Sequence, residues 1–173
     1  GTRKRFLAIS TLTCVLATTL LAFVAPGGGR EAFLALACFV VANVAFEMSV
    51  MFCNAFLPAI ASSEKIGRIS GYGWGLGYVG GLLCMAIALV GFVQPEVPWF
   101  GLSKEAGWNV RATNLLVAGW FLAFSIPFFL NVPEKAVPGG STDVRGAFRA
   151  LAQTVRDIRR YRDIVRFLIA HLI

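Results

Sequence analysis

Charge is missing from four long stretches of this chain, and that absence limits its folds more than any motif does. Residues 6–24, 69–93 and 112–133 carry no charged side chain, and residues 32–61 carry only Glu47. A hydrocarbon core about 30 Å thick is crossed by ~20 apolar residues in a helix. Inside it, backbone polar groups must be satisfied internally, which leaves helices or closed barrels. Uninterrupted apolar stretches of this length, without strict alternation, are helical. The composition agrees: 57% of residues are hydrophobic and 14% charged, against about half and a quarter in soluble domains. The chain therefore reads as all-α, a polytopic transmembrane bundle with spans at about 6–25, 32–60, 69–93 and 112–132 within residues 1–133. A cleaved signal peptide does not explain the first run, which is long for one and is followed by three more.

The basic residues orient the spans. Alternate connections share a side, so Arg3, Lys4, Arg5, Lys65, Arg68, Lys135, Arg145, Arg149, Arg156, Arg159, Arg160, Arg162 and Arg166 fall together, opposite Arg30, Lys104 and Arg111. The heavier side is cytoplasmic by the positive-inside rule. Residues 61–68 and 134–163 are then expected inside, and 25–31 and 94–111 outside. The basic balance is thus a topology signal, and nucleic acid is not needed to explain it. Trp99, Phe100 and Trp108 suit the outer membrane–water interface.

Residues 133–142, PEKAVPGGST, read as a breaker-rich linker. Asp143 can cap a following helix, in which Val144, Phe148, Leu151, Val155, Ile158 and Val165 recur near helical spacing. That basic amphipathic helix would lie on anionic headgroups or pack on another part of the protein. Residues 164–173 look like the start of a further span. The chain opens with Gly1 and stops inside an apolar run, so it is expected to be an interior piece of a longer protein.

Glu47 is the carboxylate that lies deep in a span. Such a group is costly, by insertion scales about 2.5–3.5 kcal/mol, and faces a bundle interior or a watery cavity. Asn43 and Asn54 stand four residues before and seven after it, which places the three on one stripe of a helix. Pro58 continues that stripe. A polar stripe of this kind suits a solute pathway, with Glu47 a candidate for proton coupling. The plain structural alternative is a protonated Glu47 bonded to a neighbouring helix.

The third run carries small residues at Ser70, Gly73, Gly77, Gly80, Gly81, Cys84, Ala88 and Gly91, widened by Gly71 and Gly75. Glycine costs roughly 1 kcal/mol against alanine in a soluble helix, but between membrane helices it lets backbones approach. The seam is expected to be a packing face, static or sliding. Lys65 and Arg68 hold the preceding turn on the cytoplasmic side. Two look-alikes carry nothing. Gly75, Gly77 and Gly80 match GxGxxG but follow no strand, and Ser62 to Lys65 matches SxxK without its companion motifs. Cys14, Cys38, Cys53 and Cys84 form no CxxC pair and read as small apolar residues, and His171 has no ligand-type neighbour in sequence. No metal, cofactor or enzyme chemistry is expected. Pro127 should kink the fourth run. The first and fourth runs, free of ionisable groups, suit the periphery of a bundle.

Residues 54–58 (NAFLP), 67–81 (GRISGYGWGLGYVGG), 99–103 (WFGLS) and 132–134 (VPE), with TRKR at 2–5, resemble the major facilitator superfamily. The resemblance is to its branch of fungal vacuolar amino-acid effluxers and their bacterial relatives. It implies a twelve-helix secondary transporter of which this chain holds helices three to six, the central loop and the start of helix seven. It further implies that the second run here borders the central cavity and the third packs across the interface of two halves.

The chain is thus expected to move a small polar solute, amino acids being one class, by alternating access in a plasma or bacterial inner membrane. Its partners would be that solute, a proton, the lipid bilayer and the remaining helices of the full-length protein. The alternative is a membrane scaffold whose helices only assemble. A cysteine at position 47 that reacts with a water-soluble reagent separates the two.

Overall fold

A computed structural model describes residues 2–133, with three isolated helical positions at Gly146, Arg149 and Gln153. The expected amphipathic helix and the start of a further span lie outside the described residues, those three positions apart. The chain divides into two units after Lys135, and the first holds everything below.

The described residues form α1 (Thr2–Phe23), α2 (Gly29–Asn54), α3 (Leu57–Ile60), α4 (Ile66–Ala88), α5 (Trp108–Arg111) and α6 (Thr113–Asn131), with no strand among them. Four spans are long and apolar enough to cross a bilayer: Arg3–Phe23, Gly29–Ile60, Ile66–Val93 and Trp108–Asn131. The all-α bundle read from the charge pattern is the fold observed. Large apolar side chains such as Leu16, Phe33, Leu76 and Leu130 stay exposed, as they do on helices whose solvent is hydrocarbon.

The core is centred on α1, which packs on both α2 and α6. Its buried side chains are mostly small or hydroxylic: Ser10, Thr11, Cys14, Ala17 and Ala22, with Leu7. Against them α2 buries Ala42, Ala45 and Ser49. Small residues bring the backbones close enough for one interhelical hydrogen bond, from the Ser49 hydroxyl to Ser10 Oγ at 3.0 Å. Ser10 in turn donates to the carbonyls of Phe6 and Leu7, each at 3.0 Å. Within the described residues, α1 is therefore a hub, where the lack of ionisable groups had suggested a peripheral helix. Close packing here is achieved with small residues and hydroxyls, which leave no charge signal.

The α1–α6 pair is tied at both ends. Lys4 Nζ donates to the carbonyl of Val132 at 2.8 Å, just past the end of α6. At the opposite end Arg111 Nε donates to the carbonyl of Ala22 at 2.9 Å. Each cation fills an orphan carbonyl at the C-terminal end of an antiparallel neighbour, where the helix dipole favours positive charge. Arg111 also lies over the Trp108 ring, 5.0 Å from its centroid. Arg111, one of the three basic residues expected on the outer side, thus has structural partners in the bundle.

Two spans depart from continuous α-helix. The second breaks at Ala55–Phe56 before α3 resumes with Pro58 near its start. Proline has no N–H to give the carbonyl of Asn54 and biases the preceding residue away from helix. The third ends in a π-helical turn, Leu89–Val93. Pro127 stays inside a single helix, α6, and the carbonyl of Pro127 accepts from Asn131 Nδ2 at 2.8 Å.

Candidate functional site

On α2, the face with Ala42, Ala45 and Ser49 is taken by α1. At about 100° per residue, Asn43, Glu47 and Asn54 lie more than a quarter turn around from it. All three are exposed. Between the two faces, Phe46 reaches across to Phe121 of α6, with ring centroids 5.6 Å apart. Nearer the other end of α2, Phe56 meets Phe128 edge-on at 5.3 Å. The two helices are thus bridged by rings while α1 lies against both.

The bridging leaves a cleft of about 270 Å³, lined among others by Cys14, Thr18, Asn43, Phe46, Asn114 and Phe121. Asn43 and Asn114 therefore line one space, though 71 positions separate them in sequence. Each turns its amide N–H onto its own helix: Asn43 Nδ2 to the carbonyl of Phe39 at 3.0 Å, and Asn114 Nδ2 to that of Arg111 at 3.2 Å. Such bonds occupy one donor and leave the carbonyl oxygen of each amide to accept from another group. Glu47 is not among the lining residues of this cleft. The polar stripe is thus divided, with Asn43 at the rim of an interhelical cleft and Glu47 on an open face. Asn54 sits at the last position of α2.

Asn114 was not singled out in sequence, although an amide in an uncharged run was a usable signal. What the sequence cannot give is which helix faces which, and that decides whether Asn114 meets Asn43.

The glycine seam of α4 is open over most of its length. A Cβ placed at Gly71, Gly73, Gly75, Gly77 or Gly81 would meet nothing within 4 Å, and one at Gly80 would only graze Trp120 Nε1 at 4.0 Å. Gly91 differs. A Cβ there would lie 2.7 Å from the Trp99 ring, so the C-terminal end of the seam is filled by the chain's own loop. Lys65 stands at the N-cap position of α4 and Arg68 lies in its first turn, both exposed. Helix begins at Ile66, inside the stretch 61–68 expected as a turn. A cation is disfavoured at a helix N-terminus, so the local helix gains nothing from Arg68.

All four cysteines are free thiols. Among the described residues no group of three or more His, Cys, Asp or Glu is placed to hold a metal ion. The cleft offers hydrogen bonding by the amides of Asn43 and Asn114 and the hydroxyl of Thr18.

A family model described as "Vacuole effluxer Atg22 like" matches residues 61–173. The chain is 26% identical over 172 residues to the "Uncharacterized MFS-type transporter YxiO" of Bacillus subtilis, covering 99% of this chain and 39% of that protein. It is 30% identical over 114 residues to "Autophagy-related protein 22-1" of Penicillium rubens, 60% of this chain and 18% of the relative. "Autophagy-related protein 22" of Chaetomium globosum is 26% identical over 113 residues, 58% of this chain and 16% of that protein. The chain thus spans well under half the length of these curated relatives. No solved structure matches it.

Proposed function

Because the chain belongs to the Atg22-like vacuole effluxer family, we propose that it forms part of a secondary active transporter that moves a small polar solute by alternating access. Amino acids are the favoured solute class. The chain is an integral, multi-pass membrane protein, with four spans in residues 1–133. The near-complete match to a Bacillus protein supports a plasma membrane, with residues 25–31 and 94–111 outside and 61–68 and 134–163 in the cytoplasm. In this reading the solute path runs along α2, the seam of Gly73, Gly77, Gly80 and Gly81 receives a helix from the rest of the protein, and a proton is the driving ion.

The observation that carries the reading is Glu47. It lies well inside a 32-residue apolar span, exposed on a face that α1 does not cover. A carboxyl group in that position is expensive unless it meets water, a solute or a partner group. Asn43, one helical turn away, supplies a neighbouring hydrogen-bonding group.

The test is Glu47→Gln in the full-length protein, reconstituted in vesicles. Proton-driven transport is expected to fall at least about tenfold, while solute exchange without a proton gradient persists, because the amide keeps the hydrogen bonds and loses the titrating proton. Driven transport at the wild-type rate would remove Glu47 from coupling.

A further inference from the structure

The outer end of α4 is built unlike the rest of the spans. Leu89–Val93 forms a π turn, closed by the Gln94 N–H on the carbonyl of Leu89 at 2.9 Å. A π turn is rare and occurs mostly as a single-turn bulge. Here the loop that follows supports it. The Trp99 ring occupies the gap over Gly91, so close that a Cβ on Gly91 would stand 2.7 Å from it. The ring of Phe92, itself buried, is flanked by Trp99 and Phe100 with centroids 6.4 Å away in each case. The buried side chain of Asn109 donates from Nδ2 to the carbonyl of Phe92 at 2.9 Å. That carbonyl is one of the orphan acceptors at a helix end. The loop reaches this arrangement with Phe100 in the left-handed region at φ 62°, a conformation that costs a residue with a side chain.

We propose that the outer loop is a latch: Trp99 and Asn109 hold Leu89–Val93 in the π form, and their release rewinds this turn to α-helix. Rewinding moves the Gln94 N–H from the carbonyl of Leu89 to that of Val90. It turns the outer end of the span by one residue, about 100°. Pro95 sets the limit, since it has no N–H for the carbonyl of Gly91 in an α-helix. The change therefore stays within one turn, and the long loop from Gln94 to Gly107 absorbs it. The latch changes which residues α4 presents at its outer end without moving the cytoplasmic part of the helix.

This claim concerns the backbone and does not depend on the transport reading. It is tested by distances between spin labels in the full-length protein in lipid nanodiscs, with the native cysteines replaced. One pair places labels at Leu20 and Val93, across the latch. A control pair places them at Leu20 and Leu83, below it. Trp99→Ala and Asn109→Ala are each expected to shift the first distance by several ångströms, a surface position on a helix moving roughly 8 Å in such a turn. The control distance stays unchanged. Gly91→Ala alone should produce the same shift by expelling Trp99, and adding it to Trp99→Ala should change nothing more. Trp99→Leu and Asn109→Ser replace any variant that does not assemble, with the same reading. A Leu20–Val93 distance unaltered in every variant, or both distances moving together, overturns the latch.

Discussion

The serine pair between α1 and α2 shows what a single hydroxyl does in this bundle. Ser49 shares its hydroxyl proton between Ser10 Oγ and the carbonyl of Ala45, and Ser10 donates its own to the carbonyls of its helix, so both side chains are satisfied without water. Measured interhelical bonds of this kind in membranes average about 0.6 kcal/mol, because the separated helices find partners too. Ser49→Ala should therefore lower stability by less than about 1 kcal/mol. Ser49→Leu should cost about 1–3 kcal/mol by overpacking. Unfolding in mixed detergent measures both, and a loss for alanine well above about 1 kcal/mol would show that the bond outweighs the fit. Nothing in the sequence marks these two serines as partners. Their pairing depends on a contact between positions 39 apart, whereas Glu47 is conspicuous by its charge alone. Charge was legible because hydrocarbon tolerates so little of it; hydroxyls are cheap enough to occur anywhere in a span. The same limit hid Asn109 and Asn114, whose roles depend on the carbonyl or cleft each one reaches.

Among the four spans, α4 has the weakest attachment to its neighbours and the most uneven glycine environments. Its middle and N-terminal glycines face open space, while Gly91 is pressed by Trp99. Gly77→Leu should therefore leave the folded yield of the full-length protein near wild type while slowing transport. Gly91→Leu should lower the yield itself. Measuring both quantities in both variants distinguishes a moving surface from a packed one, and normal transport by Gly77→Leu would remove the seam from the mechanism. The helical character of this element was legible from the uncharged run. The π turn was not. It exists because a ring from the following loop enters the helix groove, and no propensity encodes such a tertiary contact. Likewise the break in the second span was foreshadowed by Pro58, but the residues that unwind, Ala55 and Phe56, lie before it.

Taken whole, the described residues form a tight group of α1, α2 and α6 with α4 leaning on one side. A cysteine at position 47, in a background without the native cysteines, should react with a membrane-impermeant thiol reagent in the full-length protein and be protected by transported solute. Complete protection in every state would favour the purely structural reading. The two end ties of α1 and α6 have a consequence for how the protein is made. Lys4 must wait for Val132, 128 positions later, and Arg111 arrives 89 positions after Ala22. A ribosome delivering this chain inserts α1 and α2 early, and their serine seam can close at once. Both cationic ties stay unmade until the fourth span emerges. The fourth of the described spans is thus the fastener for the first of them, and the order of synthesis leaves these helices adjustable until it is in place.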